Sequence, residues 1–104
     1  MIVEQRTYTL QIGKANVYRD YYEQHGLPAQ KRVFGNLLGI FVSDIGELNQ
    51  VVALWGFESY AERERLRAVL AKDPEWLEYL KTAPAVIVKQ ENCILVPMPF
   101  SPIR

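Results

Sequence analysis

Glu4, Arg6 and Tyr8 stand at alternate positions of the opening segment Ile2 to Leu10. In an extended chain such residues share one face, with neighbours about 7 Å apart, within reach of an Arg–carboxylate pair. Two readings fit the triple. In one, Glu4 and Arg6 form a structural ion pair, as buried polar groups commonly satisfy one another. In the other, the three are polar groups in an apolar chamber: Arg6 stabilises an anionic oxygen, Tyr8 donates a hydrogen bond and Glu4 moves a proton. His25, the sole histidine, is a second candidate for proton transfer near neutral pH. It also precedes Gly26, where a helix C-terminus favours a cationic or hydrogen-bonding residue. Phe41 and Trp55 are the aromatic candidates for walls of the same chamber.

The remaining chemistry-bearing residues read as structural. Tyr18, Tyr21 and Tyr22 with Phe34 have the spacing of helix core. Glu62-Arg63-Glu64-Arg65 with Arg67 interleaves charges, and Glu62/Arg65 and Glu64/Arg67 have helical spacing, which suits a solvated helix face. Cys93 reads as a small buried strand residue. With one cysteine and one histidine in the chain, no metal site and no cofactor are expected, haem included. Gly35 and Gly39 have no Lys-Ser or Lys-Thr after them, so no phosphate loop is present.

These residues must be positioned by a single domain over residues 1–104. With hydrophobic residues at 49% it can fold without disulfides or metal. Twelve basic and twelve acidic residues give zero formal charge, so nothing draws the chain to nucleic acid. Ile2 to Leu10 is rich in Val, Thr and Tyr and predicts a strand. Val17, Tyr18, Tyr21, Tyr22 and His25 predict a helix stopped at Gly26, and Pro28 opens a second helical piece to about Phe34. Leu37–Val42 and Val51–Phe57, separated by a turn-rich spacer, predict a hairpin. Ser59-Tyr60-Ala61-Glu62 is a capping box at the start of the next helix. Asp73-Pro74-Glu75 restarts a helix with Trp76, Leu77 and Leu80 inward. A last strand runs from about Val88 to Val96, and a proline-rich tail follows.

The order strand, helix, strand, strand, helix, strand predicts an α+β, ferredoxin-like βαββαβ fold, with both helices on one face of a four-stranded antiparallel sheet. Both faces of the hairpin are apolar, and the helices can cover only one. The other is expected to be covered by a second copy, sheet to sheet, with Phe41, Val51, Trp55 and Phe57 at the interface of a homodimer. The chamber carrying Glu4, Arg6 and Tyr8 is then expected between the two sheets.

Ile2-Val3-Glu4-Gln5-Arg6 follows Met1 without the pattern of a signal peptide. No apolar run approaches the roughly 20 residues needed to span a bilayer. The expected location is the cytoplasm, with Cys93 reduced, and no membrane insertion is expected.

The opening strand, Gly26-Leu27-Pro28, the run Gly35 to Gly39, the stretch Ile45 to Trp55 and the tail Pro97 to Pro102 together resemble the NIPSNAP family over nearly the whole chain. The resemblance implies a ferredoxin-like fold pairing into a dimeric α/β barrel. One departure is Ala53, where many members carry histidine. The family brings no settled activity. Related dimeric barrels include cofactor-free oxygenases, haem-degrading enzymes and small isomerases, an analogy of fold only. The expected function is thus a NIPSNAP-type homodimer binding a small organic ligand or a protein partner in its chamber. The alternative is a cofactor-independent oxygenase- or isomerase-like enzyme acting on a small hydrophobic or aromatic substrate.

Overall fold

Four strands, with helical segments between the first and second and between the third and fourth, make up the computed structural model, which describes residues Met1–Arg104. The strands are β1 (Ile2–Leu10), β2 (Leu37–Val42), β3 (Gln50–Phe57) and β4 (Ile87–Leu95). The helices are α1 (Ala15–Tyr21), α2 (Leu27–Phe34), α3 (Tyr60–Leu70) and α4 (Pro74–Thr82). The sheet is antiparallel throughout, in the order β2-β3-β1-β4. This is the ferredoxin-like α+β architecture, and it places β1 in the middle of the sheet.

Local signals account for most boundaries. The Ser59 hydroxyl accepts from the Glu62 N–H at 3.1 Å, and the Asp73 carboxylate accepts from the Trp76 N–H at 3.0 Å. Each satisfies an N–H that the first helical turn leaves free. Ser59→Ala is expected to lower stability by about 1 kcal/mol, the usual loss for an N-cap, read as a shift in the urea midpoint. An unchanged midpoint would show that α3 does not depend on this cap.

The first helical region departs from expectation. Gly26 does not end a helix. α1 widens into a π-helical turn, Tyr22–Gly26, and runs directly into α2. Gly26 has helical dihedrals, and the helical run ends only at Gly35, whose φ is 82°. Gly26 is small for a different reason: a Cβ there would lie 2.8 Å from the Tyr79 ring and 2.9 Å from the Tyr22 ring. The glycine lets α4 pack against the π turn.

The hairpin faces also differ from expectation. Trp55 and Phe57 lie under the helices. Their rings meet Phe34 of α2 at centroid distances of 5.2 and 5.4 Å. Val51 packs in the same layer with Tyr18, Tyr22 and Tyr79. These three residues are intramolecular core and are not available to a second copy. Alternation along a strand says which residues share a face; it does not say which face the helices choose. The open face carries Gln5, Thr7 and Thr9 of β1, Val52 and Leu54 of β3, Phe41 of β2, and Cys93 and Leu95 of β4. Cys93 is exposed there, not buried. In α4 the inward residues are Trp76 and Tyr79, while Leu77 and Leu80 remain exposed.

Candidate functional site

β1 is anchored at both ends on its helix-covered face. Ile2 belongs to an apolar cluster with Ala29, Phe34, Trp55, Phe57 and Leu70. Leu10 belongs to another, with Tyr18, Tyr22, Val51, Tyr79 and Val86. Glu4, Arg6 and Tyr8 lie between these anchors on the same face. The period of two forces all three inward once Ile2 and Leu10 are buried.

Glu4 is 0% exposed. Its Oε2 accepts from Arg63 Nε at 2.8 Å, Arg63 Nη2 at 2.5 Å and Asn92 Nδ2 at 2.9 Å. Its Oε1 has no hydrogen bond and faces Arg6 Nη1 at 3.6 Å. The main partner of Glu4 is therefore Arg63 of α3, and Arg6 is secondary. Burial alone would push the carboxyl up. The hydrogen bonds from Asn92 and Arg63, with the charges of Arg6 and Arg63, outweigh it and hold the pKa below the ordinary value. A carboxylate held this way is a poor proton acceptor.

Arg6 Nε donates to Tyr8 Oη at 2.9 Å. The Tyr8 oxygen is thereby an acceptor, which leaves its own proton free to be donated elsewhere. Beside this pair is a cavity of about 320 Å³ between the sheet and the helices; thirteen of its eighteen lining residues are hydrophobic. Its aromatic wall is continuous. Tyr8 meets Tyr18 edge-on at 6.2 Å, Tyr18 stacks on Tyr22 at 5.4 Å, and Tyr79 touches Tyr22 at 6.1 Å and Trp76 at 5.1 Å. The Tyr22 hydroxyl donates to Gln30 Oε1. Burial pushes the Tyr18 and Tyr22 phenols up and raises Tyr79 to about 12, so all three are neutral donors at pH 7.

Of the residues singled out by sequence, Arg6, Tyr8 and Trp55 line this cavity, and Glu4 sits behind Arg6 as its support. His25 is exposed and lies against the Tyr21 ring at 4.5 Å, outside the cavity. Tyr18 and Tyr22, joined by an i, i+4 backbone hydrogen bond, share the inward face; His25, inside the π turn, lies off it. Phe41 is 56% exposed on the edge strand and borders a separate cavity of about 260 Å³ with Ala15, Tyr18 and Val42. The chamber lies between the sheet and the helices of one chain, not between two sheets. The site also includes residues that sequence reasoning assigned elsewhere. Tyr18 and Tyr22 are core and cavity wall at once. Arg63 and Arg67 come from the run that reads as a solvated face. Glu64 pairs with Arg63 at 2.6 Å and not with Arg67. Among these residues, only the i, i+4 spacing of Arg63 and Arg67, which sets both on one helix face, could have signalled the site. No cluster of His, Cys, Asp and Glu is arranged to hold a metal.

The NIPSNAP family pattern matches residues 3–102, nearly the full length. The chain belongs to the NIPSNAP family. Among curated relatives of this NIPSNAP chain, a NipSnap homolog from Dictyostelium discoideum is 30% identical over 70 residues, 67% of this chain and 31% of its own length. The chain spans less than half the length of the curated relatives it matches. Among solved structures, a NIPSNAP-like domain protein from Burkholderia xenovorans superimposes with a TM-score of 0.92 at 45% identity, covering 97% of this chain and 88% of that one. A NIPSNAP family protein of unknown function from Agrobacterium tumefaciens gives 0.95 at 39% identity, covering 100% and 94%. A putative antibiotic biosynthesis monooxygenase from Nitrosomonas europaea, at 8% identity and a TM-score of 0.65, shares the fold alone. No helix of this NIPSNAP chain is long and apolar enough to cross a membrane.

Proposed function

We propose that this NIPSNAP chain binds a compact, largely apolar small molecule in the chamber between its sheet and helices. The observation that carries this reading is the 320 Å³ cavity itself, walled by aromatic rings and provided with the Arg6–Tyr8 pair. A mostly apolar pocket with a few convergent polar groups is the usual form of a ligand site. Native mass spectrometry of protein purified from its own host is expected to show a bound small molecule. Ala53→Phe, which fills the chamber from β3, is expected to lose it. Ligand-free wild-type protein, or a ligand retained equally by Ala53→Phe, would sink the reading.

The enzymatic alternative keeps Arg6 and Tyr8 as a pair that stabilises an oxyanion on a hydrophobic substrate. It is the weaker reading because no proton acceptor stands ready. His25 lies outside the chamber, and Glu4 is held by Arg63 and Asn92.

The proposed assembly is a homodimer in the cytoplasm, paired through the open face by Phe41, Val52, Leu54 and Leu95. Phe41 at 56% exposed supports it, as large exposed apolar patches mark interaction surfaces. The exposed, unpaired Cys93 suits a reducing compartment. Sedimentation is expected to give a dimer, and Leu54→Asp to shift it toward the 12.0 kDa species. A wild-type protein that sediments only as that species would exclude the pairing.

A further inference from the structure

Arg67 is left over by the ion-pair network around the chamber. Arg6 and Arg67 line the cavity, Arg63 lies behind Arg6, and Glu4, the one buried carboxylate, pairs with Arg6 and Arg63 only. Glu64, the acidic residue nearest Arg67 in sequence on α3, is committed to Arg63 at 2.6 Å and is 71% exposed. Even with Glu64 counted, one cation stays unmatched. That cation is Arg67. It is half-buried, lies one turn beyond Arg63 on α3, and lines the same cavity as Arg6. None of the eighteen lining residues is an aspartate or glutamate. A guanidinium partly withdrawn from water is stabilised by an anion that meets its planar fork. Arg6 already has Glu4 and Tyr8; Arg67 has no such partner.

We infer that the chamber selects an aromatic anion, with its carboxylate or sulfonate group held by Arg67 and its ring seated against Tyr18, Trp76 and Tyr79. This rests on the chamber reading above and narrows it to a ligand class. Arg67 is the residue that sets specificity, because it distinguishes an anion from a neutral molecule of the same shape. The ring wall supplies affinity to both.

Two fluorescent probes with the same ring system separate these contributions: anilinonaphthalene sulfonate and neutral phenylnaphthylamine, each titrated into the full chain. Wild-type protein is expected to bind the sulfonate more tightly. Arg67→Gln is expected to weaken the sulfonate by about tenfold, the worth of one charge-assisted hydrogen bond, and to leave the neutral probe unchanged. Arg67→Lys, which keeps the charge without the fork, is expected to fall between. Ala53→Phe is expected to exclude both probes, and a thermal melt of each variant establishes that it is folded. If Arg67→Gln binds the sulfonate as wild type does, or weakens both probes equally, the anion inference is overturned while the chamber reading stands. If folded wild-type protein binds neither probe, or Ala53→Phe binds both as wild type does, the chamber reading fails and this inference with it.

Discussion

Replacing Arg63 with methionine is expected to destabilise the fold by about 3–5 kcal/mol, the usual cost of stranding one member of a buried ion pair. Arg63 makes two of the three hydrogen bonds to Glu4 Oε2. Its removal leaves a fully buried carboxylate with Asn92 and a guanidinium 3.6 Å away. Arg6→Met is expected to cost distinctly less, because Arg63 and Asn92 continue to hold Glu4. The double replacement Glu4→Leu with Arg63→Met is expected to recover most of the loss, since an apolar pair of similar volume avoids desolvation. The pH dependence has a definite sign. The folded-state pKa of Glu4 lies below its ordinary value of 4.5. The stability it contributes is thus fully present above 4.5 and is lost as pH falls through the folded-state value. Glu4→Leu should flatten that part of the acid limb. Denaturant melts of the wild type and the four variants at neutral pH and at pH about 3, below the ordinary carboxylate range, measure all of this. An Arg6→Met loss as large as that of Arg63→Met would mean that Arg6 is the main partner after all.

Gly26→Ala is expected to destabilise by about 1–3 kcal/mol, the range for overpacking a core. Helix propensity by itself argues the other way, as alanine is favoured over glycine in a helix interior by about 1 kcal/mol. The contacts decide the sign. The new methyl would sit 2.8 Å from the Tyr79 ring and 2.9 Å from the Tyr22 ring. Both rings are buried, and both line the chamber. Neither can swing into solvent without opening the cluster around Leu10. The variant should therefore melt earlier and bind the chamber probes more weakly, two readouts of the same displaced rings. A raised melting temperature would show that the rings yield and that propensity wins.

The order of elements, the position of β1 and the shared face of Glu4, Arg6 and Tyr8 were legible in the sequence. Each rests on a local rule: alternation in a strand, a capping hydroxyl at Ser59, a proline after Asp73. The family was legible as well, because its signals are spread along the whole chain. The helix stop placed at Gly26 was a misreading of a real constraint. A glycine required by a neighbouring helix looks, in one dimension, the same as a glycine required by a left-handed end.

Tertiary structure alone decided the site. The period of two grouped Val51, Trp55 and Phe57 correctly, yet the sheet has two sides, and only the packing of Phe34 on Trp55 and Phe57 shows which of them is inside. Glu4 found its partner in Arg63, 59 residues away, in preference to Arg6, two residues away. Arg6 turns its Nε to the Tyr8 hydroxyl and stays 3.6 Å from Glu4, while Arg63, on a facing helix, brings both Nε and Nη2 to Oε2, at 2.8 and 2.5 Å. Arg67 became a chamber residue by the same route: its place on α3 was visible, but what α3 covers depends on how the helix docks. Local rules fix what a residue shares a face with; docking of one layer on another fixes what that face meets.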